Sequence, residues 1–402
     1  MSSTSTARPL LDDLRRDVAA LAETDIVRVA NHGWDKPDLV PFWFGEGDRS
    51  TPDFIARAAS DSLLRGETFY TDQRGIKELR DELVAYTKRT FDVALGDDEV
   101  SLVTAGMSGL YLVMDMLVDS GDEVVVVGPV WPNIYSTVTV HGGTVRDVSI
   151  HMQPDGWQLD LDELFAAVTD RTKAIFINSP GNPTGWLMEP DQQKAVMDFA
   201  RERGVWVVAD EVYHQLVFDR AVAPSFLQVA RPDDRLMVVN SFSKSWMMTG
   251  WRLGWLTHPP ALAPVIAKLV QITTSGVPQF LQRGAIAALR DGDSVIRDLR
   301  AQCLAGRDIV FDRLDSWPMV RAARPKAAFY AFFSVDGMND SLAMAKRIID
   351  EANVGLAPGS AFGPAGEGYL RLCFAASPET LNKGLDRLEP LLGKGADQDR
   401  QA

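Results

Sequence analysis

The chain has 402 residues, 46% hydrophobic and 24% charged, the proportions of a soluble globular protein too long for one small core. Acidic residues outnumber basic ones 55 to 41, and this net charge of −14 argues against nucleic acid as the main partner, because phosphate contacts need clustered Lys and Arg. Two cysteines (Cys303, Cys373) and five scattered histidines weigh against a disulfide framework or a metal centre.

The first residues lack the apolar core of a signal peptide, and no apolar run is long enough to cross a bilayer. A cytoplasmic two-domain protein is therefore expected. Apolar residues recur at helical spacing over residues 54–64 and 76–90. Gly106 opens a helical stretch through residues 110–117, closed by Ser120-Gly121-Asp122. Residues 124–127 are all valine, as in a strand buried on both faces. Similar runs follow at 173–178, 205–209 and 236–239, with helical patterns at 161–168 and 191–203 between them. Buried strands alternating with helices predict an α/β fold, a mostly parallel sheet flanked by helices. Ligands of such sheets bind beyond the carboxyl ends of the strands. After about residue 290 a long helix (293–315) leads to short strands at 328–334 and 368–374, which reads as a smaller α+β domain. The tail from Lys394 is polar and is expected to fray.

The chemistry-bearing segments fall at the predicted strand ends. Ser241-Phe242-Ser243-Lys244 follows the run at 236–239, and Arg252 comes eight residues after the lysine. Hydroxyls and a guanidinium suit a phosphate, and the lysine suits an amine nucleophile beside it. Asp210-Glu211-Val212-Tyr213 follows the run at 205–209. An aspartate there can pair with a protonated pyridine nitrogen, although read alone it fits a helix N-cap better. Asn178-Ser-Pro-Gly-Asn182-Pro-Thr-Gly is a turn whatever its role. Thr104-Ala-Gly106-Met107-Ser-Gly precedes a helix, whose exposed backbone N–H groups can take an anion.

Taken in this order, Asn-Pro-Thr-Gly, Asp-x-x-Tyr and Ser-x-Ser-Lys with its later arginine resemble the class I/II aminotransferases of pyridoxal-phosphate fold type I, the aspartate aminotransferase fold. The resemblance runs from about Phe42 to the last helices. It implies a large cofactor-binding domain (48–290) and a small domain built from 1–47 and 291–402. It implies Lys244 as the Schiff-base lysine and proton shuttle, Asp210 on the pyridinium, and Asn182 and Tyr213 on the ring oxygen. Ser241, Ser243, Arg252 and the amides of Gly106 and Met107 would hold the phosphate, with Trp131 stacked on the ring. Tyr70, in Phe-Tyr-Thr-Asp-Gln-Arg-Gly, would reach the partner's phosphate across a homodimer.

For the substrate, Arg371 in Tyr-Leu-Arg-Leu resembles the arginine that grips the α-carboxylate, and Gly45 and Asn182 would lie beside it. The alternation of Leu370, Leu372 and Phe374 puts Arg371 on the opposite face from those three. Aspartate- and prephenate-type members often carry a lysine at the helix start where this chain has Met107, and a thioether cannot pair with a distal carboxylate. The implied reaction moves an amino group from an L-amino acid to a 2-oxo acid in ping-pong fashion. A lyase of the same fold, such as a cysteine-S-conjugate β-lyase, would use nearly the same residues. A transcription factor with such a domain would need a DNA-binding module ahead of residue 42, for which the sequence leaves too little chain.

Overall fold

The computed structural model of the chain describes residues 10–393. The readings made of the first nine residues and of the tail from Lys394 lie outside them. The central sheet has seven strands, β1 (Val100–Val103), β2 (Glu123–Gly128), β3 (Thr144–Ser149), β4 (Thr172–Asn178), β5 (Trp206–Asp210), β6 (Leu236–Ser241) and β7 (Gly254–Thr257). Their order across the sheet is β1-β7-β6-β5-β4-β2-β3. Strand β7 runs antiparallel to both neighbours and every other pairing is parallel.

Successive side chains of a strand point to opposite faces, and both faces here are covered. Val125, Ile175, Val207 and Val238 pack on one side with residues of the helices Leu161–Ala166 and Pro190–Arg203. Val124, Phe176, Val208 and Met237 pack on the other side with the helices Gly106–Leu117 and Ala263–Thr273. This two-sided burial is why the strands read as unbroken apolar runs.

Three sheet strands carry no such signal. Strand β1 has four residues, β7 opens on a glycine, and β3 is a largely exposed edge strand of mixed polarity. The strands expected at 205–209 and 236–239 extend to Asp210 and Ser241, which brings both residues onto the sheet itself. The strand expected from 328 begins at Tyr330, because Ala328 takes a left-handed φ of 59°.

The smaller domain is an antiparallel sheet of β8 (Val320–Ala322), β9 (Tyr330–Val335), β10 (Ala357–Pro358) and β11 (Tyr369–Cys373), in the order β8-β9-β11-β10. Its core holds the helices Asp293–Leu314, Ser341–Ala352 and Pro378–Leu392. Residues Val40–Pro41 pair in parallel with Val354–Gly355, so the N-terminal segment is tied to this part of the chain. Among the described residues no helix is long and apolar enough to cross a membrane.

Candidate active site

Strands β4, β5 and β6 end side by side on Asn178, Asp210 and Ser241, at the carboxyl edge of the parallel sheet. A cavity of about 220 Å³ opens there. The strand-end residues Asp210, Tyr213, Ser241, Ser243 and Lys244 line it. The loops and the helix start add Gly45, Gly106, Met107, Trp131, Asn182 and Arg252.

Asp210 closes the floor. Its carboxylate is buried, and its only hydrogen bond among the described residues is a 3.3 Å contact from the Val212 N–H. Burial pushes its pKa up to about 7, against the opposing pull of Lys244. No helix follows it, so the N-cap role is ruled out. A buried carboxylate with so little solvation is an unfilled demand for a cation or an N–H donor.

Lys244 lies within the single helical turn Phe242–Ser245, which Ser241 caps by accepting from the Ser243 N–H at 3.0 Å. Its Nζ donates to the Gly45 carbonyl at 2.7 Å, and burial pulls its pKa down to about 8. The amine is therefore within reach of both protonation states near neutral pH.

Asn182 is placed by its own N–H, which donates to Asn178 Oδ1 at 2.8 Å, while Asn178 donates to the Asp210 carbonyl at 3.0 Å. Asn182 Oδ1 accepts from Arg371 Nη1 at 2.9 Å, which leaves its amide N–H groups for the cavity. Arg371 is fully buried behind Asn182. Its second nitrogen donates to the Trp43 carbonyl, and its plane faces the rings of Tyr330 and Phe362 at 4.5 and 4.9 Å. Among the described residues no carboxylate pairs with it and its Nε has no partner, so the guanidinium is not engaged in an ion pair there.

At the opposite end the helix Gly106–Leu117 points its N-terminus into the cavity, without a side-chain cap. Ala105 before it is held at φ 111°, a conformation L residues rarely adopt. Gly254 of β7 lets this helix start approach the sheet, since a Cβ there would lie 2.8 Å from the Gly106 nitrogen. Uncapped N–H groups, two serine hydroxyls and Arg252 line this end of the cavity, a donor set whose chemistry suits an anion.

Tyr70 is not in this cavity. It is 90% exposed and lies with Phe69 along a separate surface groove formed with residues 274–280. Arg371 also stays outside the lining, one layer back. Sequence reasoning missed Tyr330, which lines the cavity and places its hydroxyl 2.7 Å from that of Tyr213. In sequence it is one aromatic within Phe-Tyr-Ala-Phe-Phe, with nothing to set it apart from core.

Residues 42–388 match the family model described as aminotransferase class I and II. The chain belongs to the class I and II aminotransferases. It is 34% identical over 365 residues to the probable aspartate/prephenate aminotransferase of Aquifex aeolicus, covering 88% of this chain and 91% of that one. It is 32% identical to the arginine–pyruvate transaminase of Pseudomonas aeruginosa over 86% of this chain and 87% of that one. The solved aspartate aminotransferase of Thermus thermophilus with maleate superposes with a TM-score of 0.88 at 30% identity, covering 94% and 99% of the two chains. The protein is thus a pyridoxal-phosphate-dependent aminotransferase, acting on an amino acid and a 2-oxo acid. Nothing in these likenesses favours the lyase alternative. The aminotransferase cavity suits that cofactor on its own chemistry: a buried, under-solvated Asp210 waits at one end and the donor set suited to an anion lies at the other.

Proposed function

We propose that this cavity is the site of amino transfer and that its residues divide the work as follows. Asp210 accepts from the ring nitrogen, Tyr213 and Asn182 donate to the ring oxygen, and Trp131 lies against the ring. Ser241, Ser243, Arg252 and the Gly106 and Met107 amides hold the phosphate. Arg371 takes the substrate α-carboxylate, with Gly45 and Asn182 beside it. The observation that carries this is the convergence of Lys244, Asp210, Asn182, Tyr213 and Arg252, from four separate chain segments, on one cavity.

Pyridoxal phosphate bound there supplies the electron sink that makes a substrate Cα–H acidic. Lys244 would take the proton from the substrate Cα and deliver it to the cofactor's aldehyde carbon, the shift that amino transfer requires. Its lowered pKa lets it serve as base and then as acid at the same pH. The Asp210 carboxylate, costly to keep charged while unpaired, favours a proton on the ring nitrogen facing it. Arg371 presents a planar fork that is desolvated before any substrate arrives. Substitution of Lys244 by alanine should leave cofactor bound by the remaining contacts and abolish turnover. Near-wild-type turnover in that variant overturns the assignment.

The substrate reading rests on Met107. Arg252, at the proposed phosphate site, and Lys244 are the cationic side chains lining the cavity, and Met107 offers no charge to a distal carboxylate. We therefore expect an apolar, aromatic or differently charged amino donor, tested by comparing aspartate, phenylalanine, leucine and methionine with 2-oxoglutarate. Aspartate winning by a wide margin refutes it.

A homodimer with a shared site is supported by the exposure of Leu64 (85%), Phe69 (83%), Tyr70 (90%) and Ile272 (77%), an apolar load unusual for a free surface. The division into 48–290 and 1–47 with 291–402 is supported by the pairing of Val40–Pro41 with Val354–Gly355. A cytoplasmic setting suits two buried, unpaired cysteines.

A further inference from the structure

One cavity residue is claimed by no motif. Tyr330 on β9 is fully buried, with its hydroxyl 2.7 Å from the Tyr213 hydroxyl. Its ring lies 4.5 Å from the Arg371 guanidinium carbon. Its hydroxyl fills the space a side chain at residue 45 would need, since a Cβ there would fall 2.1 Å from it. One side chain therefore touches the tyrosine at the cavity wall, the buried arginine and the N-terminal loop.

We propose that Tyr330 is a positioning residue that sets the donor strength of Tyr213 through its hydroxyl and seats Arg371 through its ring. The inference rests on the reading of Tyr213 as a donor to the cofactor's ring oxygen. Among the described residues neither hydroxyl has another hydrogen-bond partner. Each has one proton, so one must donate to the other. If Tyr330 donates, the Tyr213 O–H is left to point into the cavity, and an oxygen anion bound there selects that direction. Donors linked in this way polarise one another, so the outer hydroxyl strengthens the inner one. Burial pushes both phenols up, so the pair stays protonated and remains two donors. The charged or titratable groups facing the pair are Asp210 and Arg371, Cys373 from β11, and Lys244, whose Nζ is 5.9 Å from the Tyr213 ring centre.

The test reads the pH midpoint of the visible absorption of the cofactor-loaded enzyme. A donor aimed at the ring oxygen stabilises the deprotonated form, in which that oxygen bears its full charge, so weakening the donor raises the midpoint. Tyr213→Phe should raise it by about one unit, the effect of losing one hydrogen bond to a charged oxygen. Tyr330→Phe, which keeps the ring under Arg371, should raise it by a smaller amount with the amino-donor KM little changed. The double variant should shift no further than Tyr213→Phe alone. Tyr330→Leu, which removes the ring as well, should raise KM about tenfold on top of the spectral shift. An unmoved midpoint in Tyr330→Phe alongside a moved one in Tyr213→Phe overturns the proposal and leaves the role of Tyr213 standing. Additive shifts overturn it too, since Tyr330 would not then act through Tyr213. An unmoved midpoint in Tyr213→Phe itself overturns the role of Tyr213 and the inference built on it.

Discussion

Asp210→Asn should stabilise the cofactor-free enzyme and weaken the cofactor-loaded one. In the folded chain burial raises the Asp210 pKa from 3.8 to about 7, a difference of about 3 units. At 1.36 kcal/mol per unit this is about 4 kcal/mol spent on keeping an unpaired carboxylate ionised above pH 7. The sign follows from the raised value: the folded state binds the extra proton, so stability is highest below pH 3.8, falls as pH rises towards 7, and is flat beyond. Glu211, also buried and pushed up to about 7, is raised further by its charged neighbour, so removing the Asp210 charge relieves it as well. Asparagine keeps an oxygen for the 3.3 Å Val212 N–H contact. Denaturant unfolding at pH 8 should therefore find the cofactor-free variant more stable than wild type, with the difference shrinking as pH falls. With cofactor the order should invert, because the amide cannot neutralise a protonated ring nitrogen. Equal destabilisation of both forms would refute the idea that Asp210 is a charge awaiting its partner.

Lys244, pulled down to about 8 by burial, should capture added cofactor about tenfold faster per pH unit up to pH 8 and level off above it, as followed by the appearance of visible absorption. Arg371→Lys should lower kcat/KM by about 10²-fold, mainly through KM, because one ammonium cannot replace a fork bonded to both Asn182 and Trp43. A loss confined to kcat would argue against carboxylate binding. Gly45→Ala should cost about 1–3 kcal/mol of stability and lower activity, because its Cβ collides with the Tyr330 hydroxyl. An alanine variant with unchanged unfolding and rates would show that the loop simply yields.

The legible part of the site was its local part. Asp210 ends a buried strand and Lys244 and Asn182 follow one, and a run of valines or isoleucines ending in a polar residue is readable from neighbours alone. The same holds for the doubly covered sheet, whose apolar runs reflect burial on both faces. What stayed hidden depends on contacts between distant segments. The strand alternation set Arg371 apart from Leu370 and Leu372, yet its complete burial needs Trp43 and Phe362 to close over it. Tyr330 acquires a meaning only when Gly45 and Tyr213 arrive beside it. Strand β7 opens on Gly254 because a helix start must approach there, so its pattern resembles a turn.

The central claim is that Lys244 is the amine that holds the cofactor. Reduction of the cofactor-loaded enzyme with borohydride, followed by peptide mass mapping, tests it most directly. The account predicts the added pyridoxyl-phosphate mass on the peptide containing Lys244, and its absence from that peptide in the alanine variant. A label on another lysine, or an unlabelled Lys244 in an active preparation, would contradict it.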